Sequence, residues 1–185
     1  LQAGVRIMKD HLKSFKPYGP FNIEYENMPG GKRITRDNVQ KFWNGNAELQ
    51  NKIRSKRGVY VFGMKFANGI VPRYVGKTSN TFERECFTDR NLNIYNGEII
   101  RYKRDYSPFF VFLAYQHKKG QRITDKVIRE LETYLINLAA EKNPELANTR
   151  SLEDVDRFVI ADLGGGRGKG APTREGKFFK RMMNF

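Results

Sequence analysis

Two apolar stretches on either side of Asn68-Gly69 most strongly limit how this chain can fold. The stretches GVYVFGMKF (58–66) and IVPRYVGKT (70–78) are rich in β-branched and aromatic residues, which favour strands. The Asn-Gly dipeptide suits a type I′ turn because both positions can take a positive φ. Pro72 lacks an amide hydrogen, so we expect the second strand to lie at a sheet edge or to start there. The pattern therefore predicts an antiparallel β-hairpin.

A third strand and a long helix are predicted downstream of this hairpin. The residues SPFFVFLAY (107–115) are apolar enough for a strand that is buried on both faces. In TDKVIRELETYLINLAAE (124–141) apolar residues recur at helical spacing, and Thr124 is the expected N-cap. Shorter patterns predict a helix that begins in TFEREC (81–86), a strand in RFVIADL (157–163) and a cationic helix in TREGKFFKRMM (173–183).

The segment before the hairpin, residues 5–56, is predicted to be a mainly helical N-terminal extension. A turn is expected in MPGGKR (28–33), because Pro-Gly-Gly cannot continue a helix. Thr35 or Asp37 can cap a helix that follows this turn. The sequence NGN at 44–46 is expected to interrupt that helix.

Basic residues strongly outnumber acidic ones in this chain. Lys and Arg total 34, Asp and Glu total 20, and the formal net charge is +14. The excess is spread along the chain, which indicates a broad cationic surface rather than a detachable basic tail. A polyanion, most commonly nucleic acid, is the partner that such a charge favours. The alternative is a basic protein that has no such partner.

Several kinds of protein are excluded or disfavoured by what the sequence lacks. The sequence contains no run of about 18 apolar residues, which a transmembrane helix would need. It also shows no signal-peptide pattern. The single cysteine, Cys86, allows neither an intramolecular disulfide nor a cysteine-based zinc site. The only histidines, His11 and His117, are far apart and do not form a multi-histidine metal site. We expect a cytoplasmic protein that does not associate with membranes.

Glu132 stands out on the predicted long helix. Its neighbours one turn away, Ile128 and Ile136, are both apolar. A carboxylate beside apolar neighbours costs free energy unless it is paired or binds a metal. The residues alone leave two interpretations open: Glu132 forms a salt bridge with an arginine such as Arg84 or Arg129, or it is a metal ligand.

Several short sequence motifs follow one another in a characteristic order along the chain. In chain order they are GVY (58–60), YVG (74–76), Lys77, Arg84 and Glu132. Together they resemble the GIY-YIG nuclease family, with valine in place of isoleucine in both tripeptides. The resemblance covers about residues 57–150. Its weight comes from the combination, since each tripeptide alone carries no information.

The resemblance implies an α+β fold in which a small sheet of three antiparallel strands is flanked by helices. That catalytic core would span residues 57–150. It would carry two additions, the helical one at 5–56 and a short basic C-terminal element at 151–185. The family also implies hydrolysis of phosphodiester bonds with one divalent metal ion, Mg²⁺ or Mn²⁺.

The resemblance assigns the metal to Glu132, which would be its sole protein carboxylate. One carboxylate is chemically sufficient because Mg²⁺ keeps several waters and takes phosphate oxygens as further ligands. Asn148, which lies 16 residues further along the chain, matches the family's late asparagine. A purely structural role is the alternative for Asn148.

The remaining catalytic residues implied by the family lie in or near the hairpin. Tyr60 would activate the attacking water, and Lys77 would lower its phenol pKa, because a free tyrosine is mostly neutral at pH 7. Tyr74 would orient the water or the phosphate. Arg84 would stabilise the charge that develops on the phosphate in the transition state.

DNA binding is expected to reside outside the core, in residues 5–56 and 151–185, and the second of these segments contains GGGRGKGAPTREGKFFKR (164–181). Its glycines allow the backbone to approach phosphates closely. Arg167, Lys169, Arg174 and Lys177 would supply salt-sensitive affinity. A flexible loop with no binding role is the alternative.

We therefore predict a metal-dependent endonuclease that cuts DNA, similar in size to a restriction or phage-defence enzyme, and a homodimer if its target is palindromic. The open alternatives are a repair or junction nuclease, an RNase on the same core, and a non-catalytic basic nucleic-acid-binding protein.

Asp162 and EGK (175–177) also have the Asp…Glu-x-Lys spacing of another nuclease class. That interpretation is disfavoured because EGK begins a predicted helix instead of lying on a strand.

Overall fold

The computed structural model describes residues 13–67, 69–102, 105–116, 123–148, 158–161, 163 and 171–184. The strands in these ranges are β1 (Lys13–Asn22), β2 (Glu26–Met28), β3 (Gly31–Arg33), β4 (Gly58–Phe66), β5 (Gly69–Lys77), β6 (Ser107–Tyr115) and β7 (Phe158–Ile160). The α-helices are α1 (Arg36–Asn44), α2 (Phe82–Glu85), α3 (Asp89–Arg101), α4 (Asp125–Lys142) and α5 (Arg174–Met183), and Leu49–Ile53 forms a π-helical turn.

The main sheet has the strand order β5-β4-β6-β1-β7, and β2 pairs with β3 in a separate ribbon. The neighbours from β5 to β1 are antiparallel, whereas β7 runs parallel to β1. The chain is therefore a mixed α+β protein, as the sequence predicts. The sheet is larger than the three strands expected, because β1 and β7 extend it beyond β6.

The predicted hairpin is confirmed as β4 and β5, with Tyr60 opposite Gly76 and Phe62 opposite Tyr74. A bulge follows between Phe62 and Gly63. Strand β5 lies at the edge of the sheet, where Pro72 is tolerated. Asn68 lies outside the described residues, so the type I′ turn remains a prediction.

Helices cover both faces of the sheet, and each face has its own apolar core. On one face α1 and α3 pack on Tyr60, Phe62, Phe110 and Phe112. On the other face α4 and α5 pack on the alternate strand residues, among them Val59. Strand β6 lies between β4 and β1 and is buried from Pro108 to Tyr115, which confirms that it is buried on both faces.

The structure corrects the prediction that residues 5–56 are mainly helical. The described part of this segment begins with the ten-residue strand β1, which pairs with β6. Pro17 and Pro20 argue against a strand, since proline cannot donate to a ladder. However, β7 pairs only with Lys13–Phe15, so among the described residues the rest of β1 is an edge strand, where prolines cost little.

The predicted helices agree more closely with the structure. Helix α1 has Thr35 as its N-cap, and Gly45 ends it, as the NGN sequence predicts. Thr124 is the N-cap residue of α4, although its side chain makes no capping hydrogen bond. The predicted short strand and C-terminal helix are present as β7 and α5. None of the helices in the described ranges is long and apolar enough to cross a bilayer.

Candidate active site

The register of β4 and β5 places two tyrosines around a glycine. A Cβ atom built on Gly76 would lie 2.4 Å from Tyr60 Oη and 2.8 Å from Tyr74 Cε1. The two rings have centroids 6.3 Å apart. Because directly paired residues share a face of the sheet, Tyr60, Gly76 and Tyr74 all lie on the face that carries α3. The structure thus brings these two predicted residues together.

Tyr60 is 1% exposed, and its hydroxyl is held inside the core. Asn91 Nδ2 of α3 donates a hydrogen bond of 3.0 Å to Tyr60 Oη and a second one to the carbonyl of Glu85. Phe82 of α2 packs edge-on against the ring at 6.4 Å. Asn91 therefore fixes both the phenol and the end of α2.

The structure contradicts the expectation that Lys77 lowers the pKa of Tyr60. Burial raises that pKa well above its ordinary value, and the nearby Cys86 and Tyr74 raise it further. Lys77 lies opposite Val59, whose side chain packs on the α4 face, so the two side chains leave the sheet on opposite faces. Tyr60 therefore stays a neutral phenol at pH 7, and its ionisation cannot activate water.

Glu132 is 6% exposed and belongs to the buried side of α4. This confirms that its position beside Ile128 and Ile136 faces the core. Its charge also raises the pKa of Tyr60, so the carboxylate lies within electrostatic range of the phenol. Helix α4 packs mainly against β5, on the face of the sheet opposite the one that carries the tyrosines, so Glu132 and the tyrosines lie near the same edge strand but on opposite faces.

Arg84 is more accessible than Tyr60, Tyr74 and Glu132, whereas Lys77 is half-buried, as Tyr74 is. Lys77 is half-buried, with Nζ 3.4 Å from Ser79 Oγ in the turn after β5. Arg84 is exposed on α2, and among the described residues its guanidinium makes no hydrogen bond or ion pair. Arg129 likewise forms no ion pair with another described residue. Neither arginine therefore forms the salt bridge considered for Glu132.

Asn148 has a clear structural task. Its side-chain amide donates to the carbonyl of Val75 at 2.7 Å and accepts from the amide of the same residue at 3.2 Å. Ala147 and Asn143 form similar bonds to β5 backbone carbonyls. These bonds satisfy the outer edge of β5, which would otherwise be open to pairing with another chain. The structural interpretation of Asn148 is therefore supported directly.

A buried charged cluster next to the tyrosines has no counterpart in the sequence analysis. Arg73, 5% exposed at the β-bulge, lies 4.0 Å from Glu98 of α3 and stacks on Tyr102 at 4.2 Å. Glu145 also lies 3.8 Å from the same guanidinium nitrogen of Arg73. The signal available in the sequence was an arginine inside an apolar strand, but its partners are 25 and 72 residues away.

The donor set fits a hard cation only in a limited way. Among the described residues, no group of three or more His, Cys, Asp or Glu side chains could hold a metal. Glu132 can supply one carboxylate oxygen within electrostatic range of Tyr60. That set is compatible with Mg²⁺, which retains waters and binds through one or two carboxylates plus phosphate oxygens.

The predicted DNA-binding residues are only partly described. Arg174 and Lys177 are exposed on α5, which agrees with a role in binding a polyanion. Arg167, Lys169 and Asp162 lie outside the described residues, so the predictions that concern them remain predictions.

Comparison with known proteins identifies no relative of this chain. No protein-family model matches it, and neither the curated proteins nor the solved structures show a significant similarity to it.

Proposed function

We propose that this chain is a divalent-metal-dependent endonuclease of the GIY-YIG type that hydrolyses DNA. One observation carries the proposal: a carboxylate buried on α4 lies within electrostatic range of Tyr60, which itself meets Tyr74 across Gly76. A carboxylate oxygen is a ligand that Mg²⁺ prefers, and Glu132 is the residue that the resemblance assigns to the metal. The net charge of +14 supports a nucleic-acid substrate.

In this proposal the role of each residue depends on how accessible its side chain is. Glu132 would hold the metal ion, which when bound would polarise the phosphodiester and the attacking water. Tyr74, which is half-buried, would donate a hydrogen bond that orients the water or the phosphate. Tyr60 acts as a neutral phenol that supports Tyr74, because burial raises its pKa. Lys77 and Arg84 would supply positive charge to the phosphate.

The proposed biological class is a restriction or phage-defence enzyme, and a palindromic target would call for a homodimer. The same residues would serve a repair or junction nuclease or an RNase. Incubation of the protein with plasmid, single-stranded DNA and RNA, in Mg²⁺ or in EDTA, separates these substrates. Discrete plasmid fragments would indicate sequence-specific cleavage, and a smear would indicate a non-specific nuclease.

The decisive variant is Glu132→Gln, which keeps the shape of the side chain and removes its charge. We expect it to abolish cleavage in Mg²⁺ while DNA binding in EDTA is retained. Glu141→Gln is the matched control, because Glu141 is exposed near the end of the same helix. A Glu132→Gln protein that folds and still cuts DNA would overturn the proposal.

Arg84→Ala provides a second test with a different signature. Loss of an electrostatic contact to the transition state should slow single-turnover cleavage by about a hundredfold to a thousandfold. If the variant bound DNA weakly but cut at the normal rate once saturated, the catalytic assignment of Arg84 would be wrong. If the unchanged protein cut no substrate with any divalent metal ion, the nuclease assignment would fail, and the chain would be a non-catalytic nucleic-acid-binding protein.

A further inference from the structure

A groove of about 800 Å³ lies between α1 and the segment that contains α2 and the start of α3. Three arginines line it: Arg36 of α1, Arg54 after the π-helical turn, and Arg84 of α2. Trp43 and Phe87 also line it and belong to the apolar core beneath. We call this feature the arginine groove.

The arginines of the groove differ in what holds them. Arg54 forms an ion pair with Glu83, and Arg36 forms one with Asp89. Arg36 also donates a hydrogen bond of 2.7 Å to the carbonyl of Phe87, which fixes its guanidinium in the groove independently of Asp89. Arg84 has no such partner among the described residues.

The acidic partners are placed where an incoming anion could replace them. The side chains of Asp89 and Glu83 are 90% and 42% exposed. Exposed ion pairs contribute little to stability, so a phosphate oxygen can take the place of either carboxylate at little cost. The guanidinium group suits this exchange, because its planar fork binds phosphate with two parallel hydrogen bonds.

The groove lies next to the proposed active site. Helix α2 separates the two, with Phe82 packed against Tyr60 and Arg84 on the groove side. Asn91 bonds both to Tyr60 and to the carbonyl at the end of α2. Because Arg36, Arg54 and Arg84 line the same groove, one DNA strand lying in it would meet all three guanidinium groups.

We propose that the arginine groove binds the sugar–phosphate backbone of duplex DNA next to the bond that is cut, and that Glu83 and Asp89 hold its arginines in position until DNA arrives. The inference rests on the proposed function for the identity of the substrate. It goes beyond that proposal because it assigns DNA binding to α1 and to Arg54, both of which precede the hairpin.

The test measures binding of a labelled DNA duplex by fluorescence anisotropy in EDTA, over a range of salt concentrations. Arg36→Gln and Arg54→Gln should each weaken binding by about eightfold at about 0.1 M salt, because one lost phosphate contact reduces the salt slope by about 0.9. Lys142→Gln is the matched control, since Lys142 is exposed on α4, on the other face of the sheet. Equal effects of all three variants would overturn the proposal.

A variant that binds DNA more tightly is a useful second test, because a misfolded protein would not gain affinity for DNA. Glu83→Gln frees Arg54 and removes a negative charge from the groove, so it should tighten binding by at least about twofold. Glu141→Gln changes the net charge equally on the other face and should have less effect. Equal tightening by both variants would show that only net charge matters, and the groove assignment would then be wrong.

The outcomes also separate this inference from the proposed function. If the groove variants bind weakly but no substrate is ever cut, the groove is supported and the nuclease assignment fails. If DNA is cut and the groove variants bind it as the controls do, the nuclease assignment stands and the groove assignment fails. If the protein bound an RNA duplex through the groove but did not bind a DNA duplex, the choice of DNA as the ligand would be wrong.

Discussion

Replacing Gly76 by alanine should destabilise the fold, because the phenol of Tyr60 occupies the space that a side chain would need. The added Cβ would lie 2.4 Å from Tyr60 Oη, 2.5 Å from its Cζ and 2.8 Å from Tyr74 Cε1. Carbon atoms in contact prefer separations of about 3.5–4.0 Å. The φ angle of Gly76 lies outside the left-handed region, so the penalty comes from this overlap and not from the backbone.

The magnitude follows from how little the two rings can move. Tyr60 is 1% exposed and packs against Phe82, Phe110 and Phe112 at centroid distances of 6.3–6.4 Å. Its hydroxyl is also held by Asn91. Inserting a methyl group into a well-packed core costs about 1–3 kcal/mol. Since both rings would have to shift, we expect a loss of about 2–3 kcal/mol in the free energy of unfolding.

Urea unfolding followed by tryptophan fluorescence measures this loss, because Trp43 is the only tryptophan and is buried. Gly97→Ala is the control: Gly97 is exposed within α3 and nothing lies near its Cβ position. Alanine there should stabilise the protein by about 0.5–1 kcal/mol through helix propensity. If Gly76→Ala left stability unchanged, the placement of Tyr60 over Gly76 would be wrong.

Two further predictions concern the edge of β5 and the buried tyrosines. Asn148→Ala should lower the free energy of unfolding by about 1–2 kcal/mol, because two hydrogen bonds to Val75 are lost; unchanged urea unfolding would contradict this. Stability should also fall as the pH rises above 10, where unfolded tyrosines ionise. Burial raises the pKa of Tyr60 well above 10.0 and that of Tyr106 to about 12, so the folded chain keeps protons that the unfolded chain loses. Urea midpoints at about pH 9 and about pH 11 measure the fall, and Tyr106→Phe should reduce it; a flat profile would refute the reasoning.

Much of the fold was predictable wherever one local pattern decided the outcome. The hairpin, the buried strand β6 and helix α4 follow from β-branched runs and from apolar residues at helical spacing, and all three were confirmed. Strand β1 was missed because its prolines are acceptable only at an edge. Whether a strand lies at an edge depends on β7, about 140 residues further along the chain.

The candidate site shows the same division. The sequence could place Glu132 on the buried side of a helix, because that depends only on its neighbours one turn away. It could not show that Lys77 and Tyr60 leave the sheet on opposite faces, since this depends on the register in which β4 and β5 pair. Nor could it find Asn91, because an asparagine inside a helix carries no local sign of its bond to a tyrosine 31 residues earlier.

By itself, the sequence determined the types of the main elements, the cationic charge and the set of residues that could carry chemistry. Helical and strand periodicity are local properties, and net charge is a sum that does not depend on the fold. The tertiary structure decided that Tyr60 is a buried neutral phenol, that Asn148 closes the edge of β5, and that Arg84 shares a groove with Arg36 and Arg54. Desolvation, strand register and the approach of distant helices arise only when the chain packs, so no local pattern could have settled these points.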